Sequence, residues 1–348
     1  MSISRKAQRT AWVLVAVTLL LAACTPATAV APTAAATSAP AGTPAATAAP
    51  ASATTGSAGT VTVRVAMLPI LDALPMYVAI AQGYFAAQNI NVQVVPAASA
   101  AERDQLIQAG QADAMINDLV STLFYNKDKT TIVVVRFART ATSKYAQYFI
   151  LAGKGSGITD VNGLKGVPIA ISDGTVIAYI TDRLLQAEGL APADIKTVAI
   201  PKITDRLAAL SGGTVKAATI PDPTAAAAIA AGATVITSDA AHPQYGNSLI
   251  SFTADFVSKN PGTVRGFLAA WEKGVADVNA DKTKWNDVLT KNNLLAPSLV
   301  GKYALPDWPT ASVPTEAQFK DVNDWAKAKG LLTADVSYAS SVNATFLP

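Results

Sequence analysis

Cysteine and histidine are almost missing from this chain, which has one of each, Cys24 and His242, in 348 residues. No disulfide can form within it, and with Cys24 lying ahead of the body, a thiolate metal cluster or a free catalytic thiol there is excluded. His242 stands alone beside Pro243 and is expected to be a surface or structural residue, because no second His or Cys accompanies it to build a metal site. Charge is also scarce, at 15% of residues, and the net +3 comes entirely from Arg5, Lys6 and Arg9. From Thr60 onward basic and acidic residues balance, so the basic patch of a nucleic-acid partner is lacking. A Gly-x-Ser-x-Gly elbow, a Walker A loop and a His-Glu-x-x-His helix are absent too. Neither enzymatic chemistry nor a cofactor is therefore expected.

What is present begins with an export leader. The basic n-region precedes an apolar stretch from Ala11 to Ala23, and Leu21-Ala22-Ala23-Cys24 matches a lipobox, in which the cysteine receives the lipid. That stretch is short of the ~20 residues a membrane span needs. Residues 1–24 read as a lipoprotein signal, with acyl chains on Cys24 holding the protein to the membrane. Residues 25–59 are almost all Ala, Pro, Thr, Ser and Gly, without charge or aromatic residue, and read as a disordered, semi-extended tether.

The body opens with a βαβ unit. Val61, Val63 and Val65 alternate with polar residues as a strand, Leu74, Tyr77, Val78, Ala81 and Phe85 follow helical spacing, and Val92, Val94 and Val95 begin a second strand. The run Leu74-Pro-Met-Tyr-Val-Ala-Ile-Ala-Gln-Gly-Tyr-Phe85, followed by Asn-Ile-Asn-Val-Gln-Val-Val95, resembles the opening of the nitrate, sulfonate and thiamin-precursor group of periplasmic solute-binding proteins. The resemblance covers residues 60 to 335. It implies a two-lobe α/β fold of the type II periplasmic-binding-protein kind, with a hinge and an interlobe ligand cleft. It also implies a monomeric receptor that hands a small molecule to an ABC permease and its ATPase at the extracytoplasmic face of the cell membrane.

The rest of the body alternates strand and helix. Lobe 1 is expected over 60–150 and 245–348 and lobe 2 over 151–244, with the glycines at 153, 155 and 157 marking the crossing. Trp271, at helical spacing from Phe267, reads as core, and the tail with Trp285, Trp308 and Trp325 as a helical wrap over the first lobe. Ligands of open α/β sheets sit outside the carboxyl ends of the strands. That rule gathers Asp72, Tyr77, Asn117, Asp118 and Arg139 on one rim, with Asp118 serving as a helix cap, a ligand contact or both. Ser172, Asp173 and Thr175 open a helix whose N–H groups suit an anion or a carbonyl oxygen, although an ordinary capping box gives the same pattern. In the resembling family an acidic-Pro pair, here Asp222-Pro223, opposes that loop across the cleft.

Tyr77, Tyr145, Tyr148 and Tyr179 offer flat apolar faces with polar tips. Together with Asp72, Asp118 and Asp222 they suit a planar, N–H-bearing heterocycle with hydroxyls. Arg139 and Lys202 are the only clear basic groups on the rim loops. Among the family's branches this favours a vitamin-type cargo, riboflavin first and a thiamin pyrimidine precursor second, over a sulfonate or nitrate.

Overall fold

A computed structural model describes residues 59–348; Cys24 and the tether up to residue 58 lie outside the described residues. The strands are β1 (Val61–Met67), β2 (Ile90–Pro96), β3 (Ala114–Asn117), β4 (Ile132–Thr140), β5 (Tyr148–Ala152), β6 (Pro168–Ile171), β7 (Lys196–Ala199), β8 (Ala217–Pro221), β9 (Thr234–Ser238) and β10 (Asn247–Thr253). They form two five-stranded sheets, ordered β2-β1-β3-β10-β4 and β7-β6-β8-β5-β9. The two orders are equivalent. In each sheet one strand, β1 or β6, runs parallel to both neighbours. The strand that arrives from the other sheet, β10 or β5, pairs antiparallel on both sides.

Among the described residues eleven α-helices accompany these sheets: α1 (Leu74–Ala81), α2 (Ala100–Gln108), α3 (Leu119–Asn126), α4 (Val176–Ala187), α5 (Ile203–Ser211), α6 (Thr224–Ala230), α7 (Ala254–Lys259), α8 (Pro261–Ala280), α9 (Asn286–Lys291), α10 (Glu316–Ala328) and α11 (Tyr338–Ser341). The first lobe's core lies between its sheet, α1 and α8. There α1 stops at Ala81, earlier than the spacing out to Phe85 predicts, because Gly83 takes a left-handed φ of 74°. The turn brings Phe85 against Phe267, with ring centroids 4.8 Å apart. Trp271 is fully buried beside Phe267, as expected of a core residue. At Gly274 a Cβ would stand 2.2 Å from the Pro75 carbonyl oxygen, so the close approach of α8 to α1 depends on glycine.

Two expectations are corrected. The glycines at 153, 155 and 157 do not carry the chain between lobes. Tyr148–Ala152 already pairs with β8 and β9, so the crossing falls at 141–147 and the return at 239–246. The tail is not confined to the first lobe either. Trp285 and Trp308 sit in the first lobe's core, but Phe319, Val322 and Trp325 of α10 join one apolar cluster with α3 and α4. The Trp325 indole N–H donates to Asp182 Oδ2 at 2.8 Å, and Arg183 pairs with Asp321 at 2.9 Å. Helix α10 therefore straps both lobes, because its apolar stripe fits where α3 and α4 meet.

The two crossings are also tied to each other. Asp239 Oδ1, fully buried, accepts the N–H groups of Gln147 (2.8 Å) and Tyr148 (3.0 Å). Burial pushes its carboxyl up to about 7, against the pull of those N–H groups. Gly246 leaves room for it, since a Cβ there would stand 1.9 Å from Asp239 Oδ2. Among the described residues no helix is long and apolar enough to cross a membrane.

Candidate functional site

A cavity of ≈ 50 Å³ lies between the lobes, at the carboxyl ends of β1, β3, β6, β7 and β8. This is where the strand-end rule for open α/β sheets places a ligand. The first lobe contributes Leu68, Ile70, Asp72, Ala100, Arg103, Ile116, Asn117, Asp118 and Ser248; the second contributes Tyr148, Ser172, Val176, Ile177, Pro201, Ile203, Arg206 and Pro221. The walls are mostly aliphatic, and the polar groups on them differ in how well they are partnered.

On the first-lobe wall the charges are largely spent within the protein. Asp118 caps α3 by accepting the Ser121 N–H at 2.9 Å, and its other oxygen takes the Arg103 guanidinium at 3.3 Å. Arg103 also pairs with Asp104 at 2.8 Å. Burial raises the Asp118 carboxyl, and Arg103 opposes that rise. The Asn117 side chain donates to Thr122 Oγ1 and to the Asp118 carbonyl and accepts from Ser251, which leaves it little for a ligand. Asp72 is less well served. Its Oδ1 meets Arg139 only at 3.4 Å, while Arg139 holds Asp222 at 2.9 Å.

On the second-lobe wall one cation is left over. Arg206 is 1% exposed, and among the described residues no carboxylate pairs with it. Its Nη1 donates to the carbonyls of Ile200 (2.8 Å) and Pro201 (3.2 Å), and its buried Nε has no partner. Burial without a counter-charge pushes its pKa down to about 10. Beside it Ser172, Val176 and Ile177 bring the start of α4 to the cavity, so the positive end of that helix faces the same space. Thr175 is the cap, with its Oγ1 accepting the Ile177 N–H at 3.2 Å.

The residues expected on the rim thus divide. Asp72, Asn117, Asp118, Ser172 and Tyr148 line the cavity, and Thr175 supports it from the cap. Asp222 does not line it: Arg139 and the Tyr303 hydroxyl (2.6 Å) take both its oxygens. Arg139 is drawn behind Asp72 by the same pairing, which outweighs its burial and raises its pKa. Tyr77 faces a separate surface groove with Val94, Pro96 and Asn292, Tyr145 faces another with Tyr303, and Asp173 is exposed beside Trp325 and Lys329. Tyr179 is buried and donates its hydroxyl to Asp321 at 2.7 Å. His242 is half-buried, 3.1 Å from Glu188.

Arg103 and Arg206 are the residues that sequence reasoning missed. Each stands on the buried stripe of its helix, Arg103 with Ile107 and Arg206 with Leu210. An arginine at a core position of an amphipathic helix was the available signal.

Among structures, the chain is similar to the ligand-binding component of an ABC-type import system from Staphylococcus aureus with zinc bound, at 12% identity over 82% of this chain and 97% of that one, TM-score 0.70. It is also similar to the alkanesulfonate-binding protein SsuA from Xanthomonas axonopodis pv. citri bound to MOPS, at 19% identity over 82% and 99%, TM-score 0.69. The desulfurization enzyme DSZB aligns as well, at 14% identity over 82% and 97%, TM-score 0.63. At these identities the likeness is one of fold, that of periplasmic binding proteins, which here serves both binding proteins and an enzyme. Among the described residues no group of three or more His, Cys, Asp or Glu is placed to hold a metal ion. No curated protein sequence matches the chain. The NMT1/THI5-like family model matches residues 71–283, more than half of the chain and all of the cavity lining except Leu68 and Ile70, and the chain belongs to that family.

Proposed function

We propose that this protein is the substrate-binding lipoprotein of an ABC importer, and that its cargo is a small oxyanion of the sulfonate class. The observation that carries the reading is Arg206, a buried guanidinium without a counter-ion, facing an interlobe cavity beside the start of α4. A buried, unpaired charge costs several kcal/mol and persists where a ligand supplies the missing partner. A sulfonate offers three acceptor oxygens and one negative charge, which suit one guanidinium, the Ser172 hydroxyl and a helix start. Family membership and the two-lobe fold support the transport role, and the lipobox at Cys24 supports anchoring at the extracytoplasmic face.

Riboflavin has less support than the sequence suggests. Of the four tyrosines that would wall a flavin, only Tyr148 lines the cavity. Its ≈ 50 Å³ is small beside the roughly 300–1,000 Å³ typical of sites for drug-sized ligands. Thermal-shift measurements on the purified protein with ethanesulfonate, nitrate, riboflavin and a thiamin pyrimidine test the cargo. A ligand at about 100 times its dissociation constant adds ~2.7 kcal/mol of stability. Ethanesulfonate is expected to raise the melting temperature. A rise with riboflavin alone overturns the sulfonate reading and keeps the transport role, and silence across the panel counts against both. Cys24→Ala is expected to release the protein from membranes, and continued anchoring would refute the lipid attachment.

A further inference from the structure

The two walls of the cavity carry opposite unmet charge. On the second lobe it is Arg206, whose Nε has no partner. On the first lobe it is Asp72. Its Oδ2 makes no hydrogen bond among the described residues, and its Oδ1 has only the 3.4 Å contact with Arg139. Arg139 carries one positive charge against two carboxylates, Asp72 and Asp222, and lies closer to Asp222. The Arg103 cluster on the same wall likewise sets one guanidinium against Asp104 and Asp118. The first-lobe wall is therefore net negative and the second-lobe wall net positive, with aliphatic side chains between them.

Resting on the sulfonate reading and taking it further, we infer that the cargo is a short zwitterion, whose acid group is held by Arg206 and whose ammonium is held by Asp72. A plain alkyl anion would satisfy Arg206 and leave the Asp72 carboxylate enclosed against a methyl group, a loss of hydration without a new partner. An ammonium gives Asp72 the counter-charge that Arg139 shares with Asp222, and a charge-assisted hydrogen bond. With both ends engaged the ligand also bridges the lobes, because Asp72 follows β1 of the first lobe and Arg206 stands on α5 of the second. The small cavity requires a short link between the two charged ends.

The test compares ethanesulfonate with 2-aminoethanesulfonate by calorimetry on the full-length protein, beside the matching carboxylate pair, propionate and 3-aminopropionate. The amino forms are expected to bind at least about 10-fold tighter than their plain partners, and Asp72→Asn is expected to erase that preference. The better of the two amino ligands identifies the acid group. Equal or tighter binding of ethanesulfonate in the wild-type protein overturns the zwitterion inference and leaves the anion site standing. An amino preference that survives Asp72→Asn removes Asp72 from the role assigned to it. Failure of all four ligands to bind refutes the anion reading on which the inference rests.

Discussion

Arg103 and Arg206 make a natural pair. Helix α2 lies between β2 and β3 in the first lobe, and α5 lies between β7 and β8 in the second, at the equivalent place in an equivalent sheet. Each arginine is the fourth residue of its helix, is buried, and reaches the same cavity. Their surroundings differ in carboxylates: Arg103 has Asp104 on its own helix and Asp118, and among the described residues Arg206 has none. After β3 the chain supplies Asp118, which pairs with Arg103. After β8 it supplies Asp222, which turns away to Arg139 and Tyr303 of the other lobe. One repeat of the design uses its acid to neutralise its own arginine, and the other uses it to tie the lobes together and leaves its arginine without a counter-charge. Equivalent topology thus yields a paired cation in one lobe and an unpaired one in the other.

The largest effects that would separate the pair are in stability. Arg103→Met strands buried Asp118 without its counter-charge and is expected to cost about 3–5 kcal/mol in denaturant unfolding. Arg206→Met strands no carboxylate and is expected to leave the ligand-free protein as stable as before, or more so. Equal destabilisation by the two changes would break the comparison.

The tie between the crossings gives a pH dependence that sharpens it. Asp239 is held near 7 in the folded protein, against 3.8 as its ordinary value. A raised folded pKa means that the native state binds the proton more tightly, so this group's contribution to stability is present below pH ~4 and is lost as the pH climbs through about 7. At about 1.4 kcal/mol per unit the loss is on the order of 4 kcal/mol. Asp239→Asn keeps the oxygen that accepts from Gln147 and Tyr148, and is expected to be the more stable protein at pH 8 with a flatter profile between pH 4 and 7. Parallel profiles for both proteins would contradict the assignment.

Asp222→Asn weakens the interlobe tie to Arg139, and a hydrogen bond to a charged group contributes roughly 1.5–3 kcal/mol. It is expected to increase the radius of gyration of the ligand-free protein in small-angle scattering. An unchanged radius would mean that this tie does not hold the lobes together.

How far the sequence foretold this arrangement varies along the chain. The strand and helix alternation was legible because the valines of β1 alternate and Leu74, Tyr77 and Val78 fall at helical spacing, although the stop at Gly83 was not. Asp72, Asn117, Asp118 and Ser172 stand on the cavity wall because each lies at or after the end of a strand. The tyrosines misled, since an aromatic near a rim satisfies a core, a groove or a cavity equally well until the packing is known. Asp222 misled for another reason: its partners Arg139 and Tyr303 lie 83 and 81 positions away, and local sequence carries no trace of them. The pull of α10 toward α4 is of the same kind, set by Asp182 and Asp321 meeting Trp325 and Arg183 across the fold.

The most direct test of the account is an ethanesulfonate titration of the wild-type protein and of Arg206→Gln by calorimetry. Removing one partner of a buried, hydrogen-bonded charge pair costs about 2–5 kcal/mol, so affinity is expected to fall by roughly 30-fold or more. Unchanged affinity in Arg206→Gln would contradict the claim that this arginine is left unpaired for the ligand.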